Sequence, residues 1–127
     1  MQEHKQSSLT LKNGMKIYKS ISLSSFTTWR AGGPADWFAE PTNLADVQYL
    51  LSWALEKELP CTIIGAGSNL LIHDQGIKGL TICLRKLQGC QIDQTSGLIE
   101  VMAGENIPSL SRKAAKAGLH GLEWAVG

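Results

Sequence analysis

Apolar residues recur at helical spacing over one stretch of the chain and gather into short runs over much of the rest. Leu44, Val47, Leu51, Ala54 and Leu55 put one apolar face on a helix. Asn43 is placed to cap it, Asp46 lies in its first turn, Lys57 sits near its end and Pro60 stops it. Residues 35–40, with Trp37 and Phe38, read as a strand before this helix, and residues 61–64 as a strand after it. Strand, helix, strand predicts a right-handed βαβ unit with parallel strands. Further on, Asp74-Gln75-Gly76 is a turn and residues 80–84 are another strand. Residues 90–93 and 98–102 predict a hairpin around Thr95-Ser96-Gly97. Pro108 fits the first turn of a second helix that carries Leu110, Ala114 and Ala117 and closes at Gly118.

The remaining segments carry weaker patterns. Residues 1–20 read as a mobile arm, or as a first element that docks on something else. Residues 24–30, rich in Ser and Thr, are expected to be extended, and Gly32-Gly33-Pro34 marks a turn. Residues 119–127 are apolar and aromatic and stop without a cap, a strand or a polar tail, so the expectation is a chain cut inside a fold.

The candidate chemistry lies in Ile63-Ile64-Gly65-Ala66-Gly67-Ser68-Asn69-Leu70-Leu71-Ile72. Two apolar runs flank a loop whose backbone N–H groups, hydroxyl and amide can surround one small anion, phosphate or pyrophosphate. A Walker A loop requires a lysine and then Ser/Thr after the last glycine, and neither is present. A dinucleotide fingerprint requires a third glycine and a helix directly after it, whereas Leu70 stands at the glycine position. Leu70-Leu71-Ile72 reads as strand at least as well as helix, so the loop is expected to join strand to strand and to rely on backbone donors. The competing reading is a plain glycine hairpin. The βαβ unit puts the loop at the carboxyl end of a parallel strand, where ligands of such sheets bind.

Composition narrows the classes. A chain of 127 residues with 43% hydrophobic content is one domain, or slightly more, with enough apolar side chains for a core. A net charge of +1 gives no footprint for nucleic acid or an acidic membrane. Cys61, Cys83 and Cys90 lack metal-ligand spacing, and Cys61 and Cys83 sit in apolar runs as small hydrophobes, which favours a reducing, cytoplasmic compartment. The first 20 residues do not read as a signal peptide, and no apolar run approaches a bilayer span. His4, His73 and His120 are scattered, and no metal site is assigned. His73-Asp74 reads as a solvent-facing turn, Trp29, Trp37, Trp53 and Trp124 as packing residues, and Arg85-Lys86 as a solvated strand end. Arg30 suits a phosphate or an acid such as Asp36 equally well.

Three blocks occur in order: Thr28-Trp29-Arg30-Ala31-Gly32-Gly33-Pro34-Ala35-Asp36, the Gly65–Leu71 loop, and Gly121-Leu122-Glu123-Trp124-Ala125-Val126-Gly127. Together they closely resemble the bacterial UDP-N-acetylenolpyruvoylglucosamine reductase family, from about Leu23 to Gly127. The resemblance implies an α+β, PCMH-type FAD-binding fold shared with vanillyl-alcohol-oxidase-type flavoenzymes. On this view residues 1–20 are an N-terminal arm, 21–85 the first, βαβ-containing lobe and 86–127 the incomplete start of the second.

It also implies FAD as cofactor and NADPH as co-substrate, in an oxidoreductase that reduces a UDP-sugar enolpyruvyl ether to UDP-N-acetylmuramate for the peptidoglycan cell wall. By resemblance, Gly65, Ala66, Gly67, Ser68 and Asn69 wrap the FAD pyrophosphate, Ile64 and Leu70 flank the cofactor, and Val126 and Gly127 begin a second FAD-binding turn. The family's catalytic arginine, serine and glutamate match nothing in this chain, so no catalytic residue is assigned. Two other classes stay open: a different FAD-dependent oxidoreductase of the same fold, and a non-enzymatic phosphate- or nucleotide-binding module.

Overall fold

The computed structural model describes residues 7–26, 32–65 and 71–125. The elements are β1 (Ser8–Thr10), β2 (Lys16–Ser22), β3 (Pro34–Ala39), α1 (Leu44–Glu56), β4 (Cys61–Ile64), β5 (Ile77–Cys83), β6 (Cys90–Ile92), β7 (Ile99–Val101) and α2 (Ile107–Lys116). Single 3-10 turns lie at Ser24–Phe26 and Glu123–Ala125.

The main sheet has five strands in the order β1-β2-β3-β5-β4. β1, β2 and β3 are antiparallel neighbours, while β3 and β4 each pair with β5 in parallel. The expected strand–helix–strand unit is therefore present, with β5 inserted between its two strands. The second sheet is the β6–β7 hairpin, with Cys90 opposite Val101 and Ile92 opposite Ile99. The architecture is α+β, as expected.

Two apolar clusters hold the main sheet. One gathers Leu11, Ile17, Ala39, Leu80 and Ile82 against Leu50 and Ala54 of α1. The other gathers Leu23, Ala35, Phe38, Ile64, Ile72 and Cys83. The alternation of Leu80 and Ile82 with Cys83 along β5 follows the two-residue period of a strand buried on both faces.

Several expectations are corrected. Of the two readings of the first 20 residues, residues 8–22 follow the docking element and not the arm: β1 and β2 form an antiparallel hairpin on the edge of the sheet. Asn13 Oδ1 accepts from Met15 N–H, Gly14 N–H donates to the Leu11 carbonyl, and Gly14 closes the turn in the left-handed region at φ +86. Ser24–Phe26 is a 3-10 turn rather than extended, closed by Phe26 N–H to the Leu23 carbonyl and by Phe26 packing on Phe38 at 4.8 Å.

On α1 the cap is as expected, with Asp46 N–H donating to Asn43 Oδ1 at 2.8 Å, but the buried face is not. Leu50 and Ala54 are buried with Trp53 against them, while Leu44, Leu51 and Leu55 are exposed. The helix carries more apolar residues than one face holds, and Trp53 turns the buried stripe toward Trp37, which it meets edge-on at 5.8 Å. Leu71 and Ile72 form no strand: Ile72 is buried and Leu71 is 76% exposed. Cys61 is exposed because β4 is an edge strand, whereas Cys83 on β5 is buried.

Candidate functional site

Because β3, β4 and β5 run parallel, their carboxyl ends share one edge of the sheet. Glu40, Gly65 and the Leu84-Arg85 pair follow directly from those ends. This is the edge at which open parallel sheets bind ligands.

Gly65 is the distinctive residue there. A glycine is normally required by a positive φ or by a neighbour too close for a Cβ. Among the described glycines Gly65 alone has neither: its φ lies outside the left-handed region and a Cβ built on it would meet no atom of the described residues within 4 Å. It is exposed, directly after the buried Ile64. No described residue covers its backbone, which leaves a ligand room to approach. Ile64 points into the second cluster, so only its backbone is left for a ligand. Ala66, Gly67, Ser68, Asn69, Leu70, Val126 and Gly127, the other expected site residues, lie outside the described residues, as do Trp29 and Arg30.

The far side of the loop is held by close glycine packing. Gly33 N–H donates to the His73 carbonyl at 2.9 Å, and a Cβ at Gly33 would overlap the Asp74 carbonyl oxygen. A Cβ at Gly76 would overlap the Pro34 carbonyl oxygen, and Gly76 also has φ +83. The Gly32-Gly33-Pro34 segment, expected as a turn, thus serves as a bed for residues 72–76. His73 and Asp74 face solvent, as expected for a turn.

On the near side, Cys83 Sγ lies 3.2 Å from the Gly65 carbonyl oxygen, and Leu84 N–H donates to the Ile64 carbonyl at 2.9 Å. Arg85 and Lys86 are exposed just past the end of β5, as expected of a solvated strand end, but Arg85 is also paired. Its Nε and Nη2 reach the Glu40 carboxylate at 2.5 and 3.1 Å, and its guanidinium lies 4.5 Å from the Phe26 ring centre. The hydrogen bond to Glu40 pushes the Arg85 guanidinium up. Lys86 stands 3.8 Å from the same carboxylate. Among the described residues, Arg85 and Lys86 thus share the one carboxylate of Glu40 at this edge. Asp36 accepts from Gly79 N–H at 3.0 Å. No residue pattern separated Arg85 and Glu40 from ordinary surface charges, because they lie on different strands 45 positions apart.

Elsewhere, Trp124 is 82% exposed and so is not a packing residue among those described. A cavity of about 740 Å³ opens on the β6–β7 hairpin, lined by Cys90, Gln91 and Val101, away from the carboxyl edge. Among the described residues no group of His, Cys, Asp and Glu is arranged to hold a metal, and no helix is long and apolar enough to cross a membrane.

A family profile described as "FAD binding domain" matches residues 35–127. The chain belongs to this FAD-binding family. The matched span runs from β3 through α1, β4, Gly65, β5 and the hairpin to the last residue, and so contains the whole candidate edge. Exposed backbone at Gly65 fits the diphosphate of such a cofactor, which needs N–H donors and room rather than side chains.

Similar proteins are more specific in name. The chain is 58% identical over 120 residues to a UDP-N-acetylenolpyruvoylglucosamine reductase of Prochlorococcus marinus (strain MIT 9313), covering 94% of the chain and 39% of that protein. It is 60% identical over 107 residues to the reductase of that name from Synechococcus sp. (strain CC9605), covering 84% and 36%. It is 56% identical over 115 residues to that of Prochlorococcus marinus (strain NATL2A), covering 91% and 40%. The chain thus spans well under half the length of these relatives.

Proposed function

We propose that this chain holds the FAD pyrophosphate in an NADPH-dependent reductase that converts the enolpyruvyl ether of UDP-N-acetylglucosamine to UDP-N-acetylmuramate in the cytoplasm. The observation that carries the cofactor half is Gly65, a glycine with no conformational or packing reason of its own, at the carboxyl edge of a parallel sheet. The substrate half rests on the names of the relatives.

In this reading the backbone donors of Gly65, Ala66, Gly67, Ser68 and Asn69 hold the diphosphate, with the Ser68 hydroxyl and Asn69 amide beside them. The Ile64 and Leu70 backbones flank the cofactor, and Val126 and Gly127 add a second contact. FAD supplies hydride transfer between NADPH and the enolpyruvyl double bond. The chain's own part is to bind and orient. No residue in it is assigned as acid, base or hydride partner, and the UDP-sugar is the substrate of the complete enzyme.

Two experiments test the two halves. Flavin fluorescence titration of the full chain with FAD, competed by ADP, tests the diphosphate cradle: saturable binding displaced by ADP is expected, and unsaturable binding contradicts it. Depletion of the protein in its host tests the reaction. Mass spectrometry of the nucleotide-sugar pool is expected to show the enolpyruvyl UDP-sugar accumulating, and an unchanged pool contradicts the assignment.

A further inference from the structure

The last two carbonyls before the anion loop are held by different means. The Ile64 carbonyl takes a backbone bond from Leu84 N–H at 2.9 Å, as a sheet ladder supplies. The Gly65 carbonyl takes a side chain instead, the thiol of Cys83, with Sγ at 3.2 Å. Cys83 is wholly buried and stands in register with Ile64 across the β4–β5 pair. A trans peptide holds its C=O and its N–H on opposite sides, so an anchor on one fixes the direction of the other.

We propose that Cys83 is a positioning residue for the cofactor loop: its S–H anchors the Gly65 carbonyl and thereby fixes the orientation of that same peptide at the entry to the pyrophosphate loop. The inference rests on the reading of this loop as the FAD cradle. Burial pushes the Cys83 thiol up, outweighing the Arg85 backbone N–H that draws it down, so the sulfur keeps its proton and remains a donor at neutral pH. The thiol also packs as a small apolar group in the second cluster. The two roles separate experimentally, because serine keeps the donor and loses the apolar sulfur, whereas valine does the reverse.

The test uses the full chain with Cys83→Ser, Cys83→Ala and Cys83→Val. Three quantities are measured: FAD affinity by fluorescence titration, amide 15N shifts over residues 65–71 without FAD, and thermal stability. Alanine and valine are expected to weaken FAD binding about three- to tenfold, the range for losing one hydrogen bond, while serine stays within about twofold of the unsubstituted chain. The amide shifts should move in the alanine and valine variants and return toward their original values in serine. Stability should rank differently, with valine above serine. Equal FAD affinity in all variants, beside saturable binding by the unsubstituted chain, overturns the role of Cys83 alone. Affinity that simply follows thermal stability overturns it too, because that is the behaviour of a packing residue. A chain that binds no FAD before substitution overturns the cofactor reading, and this inference with it.

Discussion

The backbone N–H of Gly33 donates to the carbonyl of His73 at 2.9 Å, so the entry to β3 and the return arm of the glycine loop lie directly against each other. A Cβ at Gly33 would overlap the Asp74 carbonyl oxygen, and that backbone cannot yield as a flexible side chain would. Gly33→Ala is therefore expected to cost about 1–3 kcal/mol of stability by overpacking, read from urea midpoints. Gly65→Ala, where no described residue lies within 4 Å, should be neutral or stabilising by up to about 1 kcal/mol through the unfolded state. Equal losses at both positions would contradict the account of two glycines kept for different reasons.

Thr81 sits in the middle of β5, wholly buried, and its Oγ1 has no hydrogen-bond partner among the described residues. A buried hydroxyl without a partner opposes folding, and valine has nearly the same shape. Thr81→Val is expected to raise stability by about 1 kcal/mol. A drop in melting temperature would show that the hydroxyl meets a group outside the described residues.

Glu105 fastens α2 to the hairpin. Its carboxylate takes Lys113 Nζ at 2.6 Å and Gly89 N–H at 3.0 Å. Foremost the Lys113 hydrogen bond, and then the Gly89 N–H, hold it below the ordinary glutamate value of 4.5. A depressed carboxylate contributes stability that is fully present above its unfolded value and is lost as pH falls through the folded one. The chain should therefore lose stability as pH falls below about 4.5, and Glu105→Gln should flatten that acid limb. Melting curves between neutral and acid pH that stay parallel for both proteins would contradict this.

The strong local signals were legible in the sequence. The Asn43 cap, Pro60, the 95–97 turn and the Pro108 helix start each specify their structure through nearest neighbours, and each stands where expected. What escaped depends on distant contacts. β2 buries only Ile17 fully, so its alternation is faint, and the hairpin it forms with β1 was not read from the sequence. The buried side of α1 was settled by Trp37 on another strand, and the Arg85–Glu40 pair by two strand ends meeting at one edge. For the candidate site, the glycine pattern around Gly65 was visible, but the thiol that holds its carbonyl lies 18 residues away and is brought there only by the β4–β5 register.

The central claim is that Gly65 is a glycine because a cofactor diphosphate comes close to its backbone. Its most direct test is a fluorescence titration of the full chain and of Gly65→Val with FAD, with thermal melts of both. The account predicts saturable binding by the unsubstituted chain and a loss of at least about tenfold in affinity in the variant, equivalent to about 1.4 kcal/mol, with an unchanged melting temperature. Equal affinity in the two proteins would contradict it.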